Sequence, residues 1–340
     1  MPEKLKEKII SMNAERSRLF QETNHERRNY RREHPTEIAA TMCMDGRVNL
    51  TVVCELPVGI ISPFRNIGGR YDLGWPLLRH SLNELEGYAY KKRRPMLLII
   101  TYHWSKGDEH RGCAGFKYNM AEAIASMKKF KAQVDRCYGS RIQTILMGLE
   151  TDSDCLAVHG DNGHIVDMCE KEGGSIPDIQ GDLATLFPLM PEQMRTDVAS
   201  LLFGNVQHIA KVRKEGRRLK EFKHNERVLA IGQGFDWLRN ENLALIIGPC
   251  DPVLDQPIVT AATIIHRNWK EKRIPQGGVL LVSTPFRKWE DRHGAVEQSR
   301  YLVNLATRCI AEQVPEMADF FEPLVGVLDL ETRGFEAIEF

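Results

Sequence analysis

The segment that most limits the possible folds is an unbroken apolar run, PMLLIITYH, at residues 95–103. A strand that is apolar on both faces is typical of a parallel sheet covered by helices on both sides. Along the rest of the chain, short β-rich runs such as EIAATMCM (residues 37–44) and GVLLVSTPF (residues 278–286) alternate with segments of helical periodicity. This alternation predicts an α/β protein with largely parallel sheets.

The length of 340 residues exceeds that of most single cores and predicts two domains. We expect a charged N-terminal helical arm at residues 1–36, an α/β domain at 37–193 and a second α/β domain at 194–340. A helical and then basic run, ending in KVRKEGRRLKEFK, marks the start of the second domain. VLAIGQGFD, from residue 228, stands where a second copy of the first strand and turn would lie, but it contains no cysteine. The second domain is therefore expected to lack a metal site.

The charge balance excludes several function classes. Lys and Arg total 46, as do Asp and Glu, so the net charge gives no reason to expect binding to nucleic acid or to an anionic membrane. The N-terminal residues lack the apolar core of a signal peptide, and no segment has the length of a membrane-spanning helix. We therefore expect a cytoplasmic protein. Its eight cysteines are expected to be reduced thiols, buried or metal-bound, rather than disulfides.

Three potential metal ligands lie at predicted strand ends. Cys43 follows EIAATM, His103 ends the buried run, and Cys113 comes ten residues later. Because the carboxyl ends of parallel strands meet at one edge of a sheet, we expect these side chains to converge. Two thiolates and an imidazole select Zn²⁺ and leave its fourth position open for water. His110, three residues before Cys113, is the alternative to His103 as the nitrogen ligand.

Two charged side chains follow the first cysteine. Asp45 and Arg47 are two residues apart and can face the same way as a hydrogen-bonded pair. Arg47 would keep Asp45 ionised and aimed at a zinc-bound hydroxide; without Arg47, Asp45 could occupy the fourth zinc position and close the site. A separate acidic cluster, Glu150, Asp152 and Asp154, is expected to cap turns rather than to bind a hard cation.

The pattern C-x-D-x-R from Cys43, FRNIGG from residue 64 and a strand-end histidine before Gly-Cys resembles the β-carbonic anhydrases. Among them the chain is most similar to the carboxysomal shell carbonic anhydrases. The resemblance extends through IITYHWSKGDEHRGCAGF, HNERVLAIGQGFD and KWEDRHGAVEQSRYLVNLATRC, and covers the chain broadly from residue 37 to residue 309.

The resemblance implies a β-carbonic anhydrase-like sheet flanked by helices, followed by a related α/β domain without metal. It implies reversible hydration of carbon dioxide to bicarbonate and a proton by zinc-bound hydroxide, with no organic cofactor. It favours His103 over His110, because shell-type enzymes have a longer loop between a strand-end histidine and the cysteine. It also implies that His224, in HNERV, approaches the bicarbonate site from the second domain, and that the protein is a homo-oligomer built from dimers.

Other interpretations stay open at this point. The chain could be an inactive zinc-binding scaffold of the same fold, or a zinc hydrolase acting on another small heteroallene such as carbon disulfide. Association with a carboxysome shell or with Rubisco, and a location inside a carboxysome, are further possibilities. The family carries a large N-terminal helical domain that has only a short counterpart in this sequence, which argues against association with a carboxysome.

Overall fold

The alternation of strands and helices forms two separate sheets in the computed structural model, which describes residues 2–216, 224–238 and 243–340. The chain divides into two compact units. Unit 1 comprises Met1–Asn24, Met44–Gly46 and Lys223–Phe340, and unit 2 comprises His25–Cys43 and Arg47–Phe222. The predicted α/β class is confirmed.

The sheet of unit 2 has six strands in the order β2-β1-β3-β4-β5-β6. Strands β1 to β4 are parallel, whereas β5 and β6 are added antiparallel at one edge. The strand β3 coincides with the long apolar run, and every residue from Met96 to His103 is buried. The six strands are β1 (Glu37–Cys43), β2 (Ile61–Asn66), β3 (Met96–Trp104), β4 (Gln143–Glu150), β5 (Cys155–His159) and β6 (Ile165–Asp167).

Helices flank both sheets. In the described residues they are α1 (Pro2–Glu22), α2 (Asn24–Glu33), α3 (Leu50–Val53), α4 (Pro76–Lys91), α5 (Met120–Tyr138), α6 (Ile176–Leu186), α7 (Glu192–Glu215), α8 (Asp255–Lys270) and α9 (Arg292–Gln313). Asn119 begins α5, because its side chain accepts a hydrogen bond from the backbone N–H of Glu122. The helix then buries Met127, Phe130 and Val134 on one face. No helix within the described ranges has the length and apolar character needed to cross a lipid bilayer.

The sheet of unit 1 has five strands in the order β11-β10-β9-β7-β8. They are β7 (Val228–Gly232), β8 (Ala244–Ile247), β9 (Gly278–Phe286), β10 (Phe321–Asp329) and β11 (Phe335–Ala337). The first four of these are parallel, and β11 is antiparallel. Leu5 and Ile9 of α1 pack into the same core as Trp237 and the strand residues Val228 and Leu281.

The two sheets share one strand order. When the strands of each sheet are numbered along the chain within their own unit, both sheets have the order 2-1-3-4-5 from one edge. The fifth strand is antiparallel to the fourth in both sheets. In each sheet the first strand also lies beside the start of the third, where Ile38 pairs with Leu97, the second residue of β3, and Val228 pairs with Val279, the second residue of β9. The fold therefore contains two related α/β sheets, as expected.

This equivalence shows why the cysteine–histidine pattern is not repeated in unit 1. Counting along the strands from the paired positions places Gln233 at the position of Cys43 and Pro285 at the position of His103. Neither a glutamine amide nor a proline ring is among the side chains that hold zinc in proteins.

The units start and end at residues other than the predicted domain limits. The predicted N-terminal arm is shared between the units, because α1 lies in unit 1 and most of α2 lies in unit 2. The predicted boundary at residue 193 falls inside α7, which belongs to unit 2 because it buries residues such as Val198 and Leu202 there. Of the basic run that was expected to mark the boundary, residues 217–223 lie outside the described residues.

Candidate metal centre

Cys43, His103 and Cys113 come together in unit 2. Cys43 ends β1 and His103 lies near the end of β3, and these two strands are parallel neighbours in the sheet. Cys113 follows the loop of residues 105–112, called here the metal-site loop. One ligand atom from each side chain lies within 4.8 Å of the other two, and all three residues are buried.

The spacing of these atoms fits a tetrahedral zinc ion. The two Sγ atoms lie 3.9 Å apart. Two sulfurs that are each about 2.3 Å from one tetrahedral zinc would lie about 3.8 Å apart. Both ring nitrogens of His103 are buried without a hydrogen-bond partner among the described residues. Burying an imidazole in this way is costly, and a bound metal would satisfy one nitrogen, so the donor set fits Zn²⁺.

His110, the alternative nitrogen ligand, lies elsewhere. Its side chain is 69% exposed, and its ring packs edge-on against Tyr118 with the ring centroids 5.0 Å apart. It sits in a short turn of the metal-site loop, where Asp108 accepts a hydrogen bond from its backbone N–H. The structure thus brings His103, and not His110, to the two thiols.

The FRNIGG segment supports the end of β1. Arg65 is buried and donates hydrogen bonds to the carbonyl oxygens of Cys43 and Val48, at 3.0 Å and 2.7 Å. Gly69 has a φ of +66°, and a Cβ at this position would lie 3.1 Å from the carbonyl oxygen of Thr101 in β3. This close approach of backbone to backbone is the reason a glycine is needed here.

The metal-site loop is held by the carboxylate of Asp152. Its Oδ2 atom accepts hydrogen bonds from Ser105 Oγ at 2.7 Å, from the backbone N–H of Gly107 at 2.9 Å and from Arg111 Nη2 at 3.2 Å. Arg47, the predicted partner of Asp45, donates from Nη2 to the carbonyl oxygen of Arg111 at 2.7 Å. The loop that carries Cys113 into place is therefore fixed from one side by a single carboxylate.

A second carboxylate, that of the buried Glu150, fixes the start of this loop. Glu150 Oε1 accepts a hydrogen bond from the backbone N–H of Lys106 at 2.8 Å, and Oε2 accepts from the N–H and the hydroxyl of Ser153. Asp154 Oδ2 lies 2.9 Å from His208 Nε2 of α7. In the acidic turn, residues 150–154, Glu150 and Asp152 thus cap backbone donors, as the sequence predicts, whereas Asp154 contacts a side chain.

Beside His103, Tyr102 and His159 form a buried polar pair. The hydroxyl of Tyr102 lies 2.8 Å from Nε2 of His159. Burial raises the pKa of Tyr102 to about 12, and burial together with the nearby charge of Lys128 lowers the pKa of His159. Both shifts favour the uncharged forms, so the contact joins a neutral phenol and a neutral imidazole. Consecutive residues of a strand face opposite sides of the sheet, so this pair lies on the other face of β3 from His103.

A cavity of about 170 Å³ opens beside two of the three ligands. His103 and Cys113 line it together with Trp104, Tyr118 and Ala123. Its size is sufficient for a small molecule such as carbon dioxide or bicarbonate, and its walls combine aromatic and polar groups.

Asp45 and His224 lie in unit 1. Residues Met44–Gly46 belong to this unit, where Asp45 forms a single antiparallel bridge with Leu245. The carboxylate of Asp45 groups with His224 and Glu226, with one ligand atom of each within 4.8 Å of the others, and all three residues are buried. The hydrogen bond between Asp45 and Arg47 and the approach of His224 to bicarbonate stay predictions.

Glu226 is a member of this group that sequence reasoning missed. His224 Nδ1 lies 2.8 Å from Glu226 Oε1, and Asn268 Nδ2 donates to Glu226 Oε2 at 3.0 Å. The available signal was its spacing from His224, since residues two apart on an extended chain can point to the same side.

Residues 33–170 match the family model described as the carboxysome shell carbonic anhydrase catalytic domain. Cys43, His103 and Cys113 all lie within this match. This segment is a carbonic-anhydrase-like domain. The predicted resemblance is thereby confirmed.

Curated relatives that match part of the chain agree with this similarity. The carboxysome shell carbonic anhydrase of Hydrogenovibrio crunogenus is 28% identical over an alignment of 239 positions, which covers 59% of this chain and 45% of that protein. That of Halothiobacillus neapolitanus is 26% identical over an alignment of 262 positions, which covers 59% of this chain and 48% of that protein. The chain therefore spans about half the length of the curated relatives it matches.

One expectation about the cysteines is wrong. Cys155 and Cys169 form a disulfide rather than two independent thiols. The antiparallel return of β5 into β6 brings their Cα atoms to 5.8 Å, a separation that a disulfide spans without backbone movement.

Proposed function

We propose that this chain is a zinc enzyme that interconverts carbon dioxide and bicarbonate. The observation that carries the proposal is the convergence of Cys43, His103 and Cys113 on one buried point in a carbonic-anhydrase-like domain. Three protein donors are the pattern of a catalytic rather than a structural zinc site, because the fourth tetrahedral position stays open.

The residues of the site have separate tasks in this proposal. Cys43 and Cys113 supply two thiolates whose charges offset that of the metal, and His103 supplies a neutral nitrogen. Zinc in such a site lowers the pKa of water from 15.7 to about 7 and so supplies a nucleophile at neutral pH. The cavity next to His103 and Cys113 gives carbon dioxide a place beside the ligands.

From the resemblance, the proposal also takes roles for Asp45, Arg47 and His224. Asp45 would accept a hydrogen bond from the nucleophile and Arg47 would keep it ionised, while His224 would bind bicarbonate. Glu226, held by Asn268, supports the role of His224, because the hydrogen bond at Nδ1 fixes the orientation of the imidazole ring.

The test combines metal analysis with a carbon dioxide hydration assay. Wild type and His110→Ala are expected to contain about one zinc per chain and to be active, whereas Cys43→Ala, His103→Ala and Cys113→Ala lose both metal and activity. Cys137→Ala, at an exposed free cysteine, is the matched control for the cysteine variants.

Different results would point to different functions. Zinc retained by His103→Ala but lost from His110→Ala would overturn the ligand assignment. A wild-type protein with full zinc and no hydration activity at alkaline pH would be a zinc-binding scaffold. Hydrolysis of carbon disulfide in place of carbon dioxide hydration would make it an enzyme for another heteroallene.

The names of the relatives also support a setting for the enzyme. They are called carboxysome shell proteins, and we propose that this chain associates with such a shell, directly or beside Rubisco, as an oligomer built from dimers. Light scattering on the purified chain measures the oligomer, and co-sedimentation with isolated shells measures the association.

A further inference from the structure

The disulfide between Cys155 and Cys169 lies next to the acidic turn that holds the metal-site loop. Cys155 is buried at the start of β5, directly after the turn, whereas Cys169 is half-buried in the short helical turn after β6. The two residues are 14 apart in the chain. A cross-link here closes the β5–β6 hairpin on itself and restricts its movement.

One set of contacts connects Cys155 to the metal-site loop. In the antiparallel pairing of β4 with β5, Cys155 lies opposite Glu150. Glu150 in turn accepts the hydrogen bond from the backbone N–H of Lys106 in the loop, and Asp152, three residues before Cys155, accepts from Ser105 and Gly107. The disulfide therefore fixes the end of the same turn that fixes the loop.

A second set of contacts passes through Asp167. Its Oδ1 atom accepts a hydrogen bond from the backbone N–H of Cys169 at 2.9 Å, and its Oδ2 atom lies 3.6 Å from Nζ of Lys106. Oδ1 also lies 2.8 Å from Sγ of Cys155. If the disulfide opens, the Cys155 thiol thus has an acceptor in place, so the surroundings fit the dithiol as well as the disulfide.

We propose that Cys155 and Cys169 are a reversible redox pair that sets how firmly the metal-site loop is held. The inference rests on the proposed metal site, whose retention of zinc it would regulate. With the disulfide formed, the turn and the loop are braced; with the dithiol, the turn loosens, the loop opens more often, and zinc leaves the ligands faster.

The redox step is an ordinary thiol–disulfide exchange with a dithiol reductant. A reductant thiolate attacks Sγ of Cys169, the more accessible sulfur, and Sγ of Cys155 leaves and takes up a proton beside Asp167. The second thiol of the reductant, after losing its proton, then displaces Cys169 as a thiolate, which is protonated in turn. Two electrons and two protons pass to the protein, and the reductant becomes a disulfide.

Hydrogen exchange of the full chain tests this directly. Amide exchange in residues 105–111 is compared with and without tris(2-carboxyethyl)phosphine, a reductant that becomes a phosphine oxide and leaves no dithiol to compete for zinc. Reduction is expected to speed this exchange about tenfold, which corresponds to a loss of about 1.4 kcal/mol in the local opening free energy. Zinc release to a chelator should accelerate by a similar factor.

The double variant Cys155→Ser/Cys169→Ser serves as a permanently open form. It should show fast exchange and fast zinc release in both buffers, whereas Cys137→Ser should respond to reduction like wild type. Unchanged exchange of residues 105–111 on reduction would overturn the proposal. Alkylation of both thiols in protein kept without reductant would also overturn it. A second zinc per chain that the double variant loses would do so as well, because Cys155, Cys169 and Asp167 would then be a metal site.

The exchange measurement also separates this proposal from the proposed function. A chain without hydration activity whose loop still responds to reduction would contradict the enzymatic function and leave the redox pair standing. An active chain whose loop does not respond to reduction would support the enzymatic function and contradict the redox pair.

Discussion

The sulfur of Cys43 lies 3.9 Å from the sulfur of Cys113, although 70 residues separate them in the chain. Two neighbouring parallel strands and a loop anchored by acidic side chains produce this approach. The distance is close to that expected for two ligands of one zinc ion.

We expect bound zinc to protect these two thiols from alkylation. In the zinc-loaded chain, iodoacetamide should modify Cys137, which is exposed, and leave Cys43 and Cys113 unmodified. After chelation of the metal, both should become reactive, because the thiolates are no longer coordinated. Peptide mass mapping measures this. Modification of Cys43 in the zinc-loaded chain to the same extent as Cys137 would show that it holds no metal.

We expect Asp152→Ala to destabilise the protein by about 2–3 kcal/mol, because three donors of the metal-site loop lose a charged acceptor. The free energy of unfolding in urea measures the effect. Asp161→Ala is the control, since Asp161 makes an exposed ion pair with Lys131 and should change stability by less than about 0.5 kcal/mol. Similar losses in the two variants would contradict the anchoring role of Asp152.

We expect the buried His159 to make stability depend on pH. Its pKa in the folded state lies below the ordinary value of 6.5, mainly because of burial. Below pH 6.5 the unfolded chain therefore binds more protons at this residue, and the free energy of unfolding falls as the pH drops from 6.5 through the folded-state pKa. Above pH 6.5 this contribution is constant. Urea unfolding of wild type and His159→Gln at several pH values should show a shallower acid decline in the variant; parallel curves would rule the effect out.

We expect Gly232→Ala to cost about 3 kcal/mol or more. Gly232 has a φ of +121°, and an added Cβ would lie 1.9 Å from the carbonyl oxygen of Ser283, so both the backbone and the neighbouring strand would have to move. Gly181→Ala is the matched control. It lies in α6 with no atom within 4 Å of an added Cβ, and it should stabilise the protein by about 0.5–1 kcal/mol. A small effect of Gly232→Ala on thermal unfolding would contradict the close packing of β7 on β9.

Much of the fold could be read from local pattern. The buried run of β3 and the glycines of FRNIGG each have a local signature. A strand buried on both faces needs consecutive apolar residues, and a close approach of two backbones needs glycine. The acidic turn was recognised for the same reason, since Glu150 is of a residue type that caps backbone donors of its own turn, here those of Asp152 and Ser153.

Other features have no local signature. α7 has helical periodicity over its whole length, but its membership of unit 2 depends on side chains such as Asn205, which donates to the carbonyl oxygens of Val53 and Asp154. The pairing of Cys155 with Cys169 likewise depends on how β5 returns into β6, and composition alone predicted free thiols.

The sequence by itself determined the α/β class, the two related halves and the residue types of the candidate site, because these follow from periodicity and from the chemistry of cysteine and histidine. Only the tertiary structure decided that His103 meets the two thiols while His110 faces solvent, that Glu226 joins His224, and that Asp152 holds the metal-site loop. Such choices depend on strand register and loop path, which bring together residues far apart in the chain and are set by the packing of the whole sheet rather than by any one segment.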